Sequence, residues 1–212
     1  MGENLSFQVN DPYKTRLVLG IALILIVCVF FLPPIAQNPD YHRFADQRAF
    51  LGIPNLYDVL SNLPFLVVGV LGLFFLRTRW KDEALFVKPS ERWLWLILFG
   101  VIALACFGSA YYHWEPNNAR LAWDRLFIVL ALMTLLSIII TERIHDARYL
   151  SLLLMLAGAI SVIYWDHTER QGMGDLRPYA LAQFLPMLLI PLICALFPSI
   201  YTETRRLVEA FG

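Results

Sequence analysis

The chain has 212 residues, of which 58% are hydrophobic and only 16% charged, and its mean hydropathy is +0.59. A soluble domain carries roughly 25% charged residues, so this composition excludes disorder, collagen and coiled coil and argues against a soluble fold. Lys plus Arg and Asp plus Glu both number 17, giving zero formal net charge, and without a basic surplus nothing points to a nucleic-acid partner.

A helix needs about 17–25 apolar residues to cross hydrocarbon. Six runs meet or approach this, at 17–35, 56–76, 93–112, 121–140, 149–165 and 180–197. They are apolar on all sides and do not alternate, which predicts helices and not a β-barrel. The expected fold is a single integral-membrane domain, an all-α multi-pass bundle of six spans.

The first run reads as a retained anchor. The segment before it carries Glu3 and Asp11, and Pro33-Pro34-Ile35-Ala36 is a poor signal-peptide cleavage site. The second opens with Tyr57, Asp58, Ser61 and Asn62 at one polar end. Interhelical hydrogen bonding accounts for Ser61 and Asn62 as well as a site does.

The third run ends Gly108-Ser109-Ala110-Tyr111-Tyr112-His113, with Ser109 and His113 one helical turn apart on a shared face. The fourth begins Leu121-Ala122-Trp123-Asp124-Arg125. An ionisable pair just inside an apolar run is costly and points to function, although a helix N-terminus also favours a carboxylate. The short connection makes the two helices antiparallel neighbours, so Asp124 can share the depth of Ser109 and His113. The fifth run is short. The segment after it, 166–178, is dense in ionisable groups and offers an Asp175–Arg177 clamp or a solvated loop. Tyr179 and Gln183 then share a face of the sixth run, which carries Pro186 and Pro191. Proline is tolerated in a spanning helix when neighbours satisfy the freed carbonyls.

Lys and Arg set the expected orientation. The side holding both termini has 11 of them and the other side 6, which places both termini in the cytoplasm. The non-cytoplasmic ends, 36–58, 106–125 and 166–183, then gather His42, His113 and His167 with Asp40, Asp46, Asp58, Asp124, Asp166 and Asp175. Such a face suits a metal or general acid–base chemistry. His42 and His145 read as ordinary polar loop residues. Cys28, Cys106 and Cys194 lie far apart in apolar runs and read as packing residues.

Residues 56–62 followed by Leu63-Pro64-Phe65, then Gly108-Ser109-x-x-x-His113, then Asp124-Arg125-Leu126 resemble the alkaline ceramidases of the CREST membrane-hydrolase superfamily. The resemblance covers roughly residues 40–135. It implies a zinc held by histidines, whose bound water attacks the amide of ceramide and releases a sphingoid base and a fatty acid. It assigns Ser109 to the oxyanion, His113 to zinc, and Asp124 to orienting or deprotonating the water. It also implies a calcium near Asp40, Asp46 and Asn55. Ser61, Asn62, Arg177, Tyr179 and Gln183 would support the site. The family's last helix carries H-x3-H, whereas this one reads Tyr179-Ala180-Leu181-Ala182-Gln183, and the family usually has seven spans. His167 and Asp175 are the expected substitute zinc ligands.

Two functions fit these residues. One is a metal-dependent hydrolase of a membrane lipid amide, ceramide or a similar lipid. The other is a non-catalytic lipid-binding or receptor-like protein, as in the related progestin and adipoQ receptors. A transporter would want charged groups or broken helices at mid-membrane, and here the charges lie at the helix ends.

Overall fold

A computed structural model describes residues 11–44, 46–82, 85–86 and 88–199. Within them the chain is helical, with no strand beyond one isolated bridge between Phe50 and Ile53. Six of the described helical segments are long and apolar enough to cross a membrane: Pro12–Phe31, Leu56–Arg79, Pro89–Trp114, Asn118–Arg143, Arg148–Arg170 and Arg177–Leu196. The chain is a multi-pass membrane protein. Arg205 and Arg206, part of the charge count for orientation, lie outside the described residues.

Helix α1 (Pro12–Phe31) starts at Asp11, whose carboxylate accepts from the amides of Tyr13 and Lys14. It stops four residues before the expected end because Pro33-Pro34 removes donors and imposes extended backbone. A single 3-10 turn follows at Pro39–His42. The second span is broken, into α2 (Leu56–Leu60) and α3 (Leu63–Arg79). Pro64 in the first turn of α3 lacks an N–H, and the side chains of Ser61 and Asn62 cover the carbonyls left at the break. Ser61 Oγ donates to Asp58 O at 2.8 Å, and Asn62 Nδ2 donates to the same carbonyl at 2.8 Å.

Helix α3 packs tightly on α4 (Pro89–Trp114). A Cβ at Gly69 would lie 2.7 Å from Ala103 Cβ, so only glycine permits this approach. Helix α5 (Asn118–Arg143) is the central element, touching α4, α6 (Arg148–Arg170) and α7 (Arg177–Leu196). Asn117 caps it, accepting from Arg120 N at 3.0 Å. Leu121, Val129 and Trp165 are fully enclosed at its contact with α6, where Gly158 lets Val129 come close. Thr134 and Ser137 return their hydroxyls to carbonyls four residues back, so these polar groups cost little in an apolar setting.

Helix α6 runs to Arg170, five residues beyond the apolar run. Asp166 and His167 are therefore helical, where the sequence suggests a loop. Gly172 then reverses the chain at φ 73°. At one end of the bundle meet the 30–48 segment, the turn between α4 and α5, and the turn between α6 and α7. This is the His113 end. Residues 88–90, 141–147 and 194–199 meet at the other.

Candidate functional site

Ser109 and His113 lie one turn apart near the end of α4, and Asp124 lies in the second turn of α5. The tight turn at residues 115–117 and the close approach of α5 at Gly108 bring them together. The Ser109 hydroxyl lies against the Asp124 carboxylate. The His113 imidazole lies within electrostatic range of two carboxylates, Asp124 on α5 and Asp58 on α2, without a hydrogen bond from Nδ1 to either. Ser109 and Asp124 are buried, and His113 is half-buried. Phe44 packs on His113, ring centroids 4.7 Å apart. Asn55 Nδ2 donates to His113 O at 2.8 Å, holding the start of α2 against the end of α4.

Two polar atoms in this cluster, His113 Nδ1 and Asp124 Oδ1, are enclosed and have no hydrogen-bond partner. Buried polar atoms almost always have one. A proton acceptor and a carboxylate with free lone pairs, beside a hydroxyl donor, can take a proton from water and hold a polarised carbonyl.

Next to this cluster sits Arg125, 5% exposed. Its Nη2 donates to Gln37 Oε1 at 2.6 Å. Its guanidinium lies 4.0 Å from the Trp165 ring, 4.4 Å from Tyr179 and 5.7 Å from Tyr41. Ring faces attract a cation most strongly when both are desolvated, which accounts for a charge buried here. Tyr179 thus packs its ring against Arg125. Gln37, Tyr41 and Trp165 escape sequence reasoning. The only signal for them is Arg125 itself, an arginine inside an apolar run.

The other expected zinc ligands lie elsewhere. His167 is exposed on α6, with Nε2 3.0 Å from Gln171 Nε2. Asp175 is buried and bound twice by Arg177, at 2.8 Å to each oxygen, with Thr168 Oγ1 accepting from its amide. That hydrogen-bonded guanidinium holds the Asp175 carboxyl below its ordinary range. Arg177 Nη1 also donates to Leu32 O at 2.6 Å, so the pair is a structural clamp tying α1 to α7. Gln183 is half-buried on α7. His42 has both nitrogens engaged, by Tyr112 Oη at 3.0 Å and Asn118 Oδ1 at 2.9 Å. His145 sits at the opposite end. Among the described residues, no group of three or more His, Cys, Asp or Glu is placed to hold a metal ion. His113, His167 and Asp175 do not form one ligand set.

The residues considered for calcium are also committed. Asp40 pairs with Arg43 at the surface, at 3.3 Å. Asp46 accepts from Arg48 Nε at 2.7 Å and from Tyr57 N at 2.9 Å. The Arg48 hydrogen bond lowers the Asp46 carboxyl below its ordinary value and raises Arg48. Asn55 is spent on His113. Ser61 and Asn62 serve the break between α2 and α3, as described above. Compared with models of protein families, with curated proteins and with solved structures, the chain matches none.

Proposed function

We propose that the chain is a membrane-embedded hydrolase of a lipid amide bond, ceramide or a similar N-acyl lipid, with Ser109, His113 and Asp124 as its working groups. The observation that carries the reading is the meeting of these three side chains at one end of the bundle, with His113 Nδ1 and Asp124 Oδ1 enclosed and unpartnered.

The chemistry follows from those atoms. Water attacks the amide carbonyl carbon while a proton passes to His113, the usual side chain for this work near neutral pH. Asp58 and Asp124 stabilise the imidazolium that results. The Ser109 hydroxyl donates to the carbonyl oxygen as negative charge builds on it, a contribution of several kcal/mol in comparable sites, about 2.7–4 for one donor. Collapse of the tetrahedral adduct breaks the C–N bond. The proton on His113 goes to the departing nitrogen, leaving a long-chain amine and a fatty acid. The enclosed setting strengthens each of these interactions by excluding water.

The lipid is expected to reach the site from the bilayer, since α3 and α6 expose large apolar side chains such as Phe74, Ile160 and Ile163. The resemblance to alkaline ceramidases supports the same reading through Ser109, His113 and Asp124. The Phe44 ring over His113 supports a second one, a lipid-binding protein without turnover.

The test is amine and fatty-acid release by purified protein in nanodiscs, from a panel of N-acyl lipids that differ in head and chain. Equimolar release of both products supports the hydrolase. Saturable lipid binding with no release from any member of the panel supports the second reading.

A further inference from the structure

The arginines at the His113 end pair with carboxylates: Arg43 with Asp40, Arg48 with Asp46, Arg120 with Glu115, Arg170 with Asp166 and Arg177 with Asp175. Arg125 is the exception among the described residues. It is 5% exposed, and its Nε and Nη1 are enclosed without a hydrogen-bond partner. Nη2 donates to Gln37 Oε1 at 2.6 Å, and the Tyr179 hydroxyl lies beside the guanidinium. The surrounding rings offer faces to the cation, but a face does not replace an oxygen lone pair, and a buried donor without an acceptor is costly.

The guanidinium lacks acceptors rather than charge. Asp124 already acts on it electrostatically. Glu169, the next carboxylate, accepts from Gln37 N and from Trp165 Nε1. A carboxylate or phosphate head would bring a further negative charge towards these two. An ammonium head carries donors alone and cannot satisfy an N–H. A neutral oxygen meets the need, and the present partner shows the fit, since Gln37 Oε1 is the carbonyl oxygen of an uncharged amide. Gln37 lies in the non-helical stretch 33–38, flanked by the exposed Ala36 and Asn38, so this side chain can withdraw without unwinding a helix.

We infer that Arg125 selects the head group of the lipid, donating to neutral hydroxyl oxygens carried by the amine half in the place that Gln37 Oε1 fills. This assignment rests on the reading of this end as an N-acyl-lipid site and adds to Ser109, His113 and Asp124 a residue that chooses the substrate.

The test measures binding by the full chain in phosphatidylcholine nanodiscs, with empty nanodiscs subtracted. The probe is the radiolabelled octadecanoyl amide of serinol, whose head carries two hydroxyls. Label released as free acid is counted separately, so a protein that binds without hydrolysing is told apart from one with no head-group selection. The competitors are the octadecanoyl amides of isopropylamine (the same skeleton without oxygens), of glycine and of ethylenediamine. The serinol amide should bind the wild type at least about tenfold more tightly than the isopropyl amide, the worth of one hydrogen bond to a charged donor. The glycine and ethylenediamine amides, with anionic and cationic heads, should also bind more weakly than the serinol amide. Arg125→Met should erase the preference. Gln37→Ala leaves the guanidinium in place and removes its competitor, so it should tighten the serinol amide several-fold and leave the isopropyl amide unchanged. Equal binding of the serinol and isopropyl amides, tighter binding of either charged head, a preference that survives Arg125→Met, or equal weakening of both amides by Gln37→Ala would overturn the assignment.

Discussion

The side-chain amide of Asn55 donates to the main-chain carbonyl of His113 at 2.8 Å. Asn55 itself is left-handed, at φ 47°, a conformation that asparagine tolerates and most residues do not. The bond fixes the last turn of α4, where the imidazole sits, to the start of α2, the short helix that carries Asp58. Asn55→Gly keeps the backbone freedom and removes the bond. The expected cost is about 1 kcal/mol of stability, together with a clear fall in turnover. Thermal unfolding and amine release, measured on the same preparation, check this. Unchanged turnover at reduced stability would separate Asn55 from the site.

His113 and His167 should behave oppositely. His113→Ala is expected to abolish lipid-amide hydrolysis, because it removes the proposed proton acceptor one turn from Ser109. His167→Ala removes an exposed ring bonded to Gln171. Its effect on stability should stay within about 0.5 kcal/mol, and activity should be unchanged. Comparable losses in both variants would mean that the two histidines work together, as a shared metal site requires.

Much of this could be read beforehand, for a physical reason. A spanning helix must be apolar on every side, so the six runs stand out in hydropathy. Their ends do not, because caps such as Asp11 and Asn117 lie in polar turns that look like loops. For the same reason α6 looks short, and His167 looks like a loop residue. Ser109 and His113 are tied by helical spacing, and Asp124 by the short connection after them. The environment of Arg125 is different. Gln37, Tyr41, Trp165 and Tyr179 come from three separate segments of the chain, and no local pattern links them.

The Asp175–Arg177 clamp should make stability depend on acid. The folded-state carboxyl lies below its ordinary value, so its contribution is fully present above the unfolded pKa of about 3.9. That contribution is lost as pH falls through the lower folded-state value. Asp175→Asn should therefore melt below the wild type at pH 6, and the difference should close as the pH drops below about 4. A difference that stays constant across this range would show that Asp175 acts by packing alone.

The charge split between the two sides, 11 against 6, leads us to propose that both termini face the cytoplasm. Cysteines placed at Glu115 and His145, at opposite ends of α5, should react with a membrane-impermeant reagent from opposite sides, Glu115→Cys from outside. Reaction of both from one side would refute the topology, and reversal of the two would refute the orientation.

The most direct measurement concerns Asp124, buried beside Ser109 and His113 with one oxygen unpartnered. Asp124→Asn keeps the shape and removes the charge. The account expects a folded protein, melting close to the wild type, that still binds N-acyl lipid in nanodiscs but releases its amine at least about a hundredfold more slowly, the lower bound for loss of acid–base assistance. Amine release by Asp124→Asn at the wild-type rate would contradict the account.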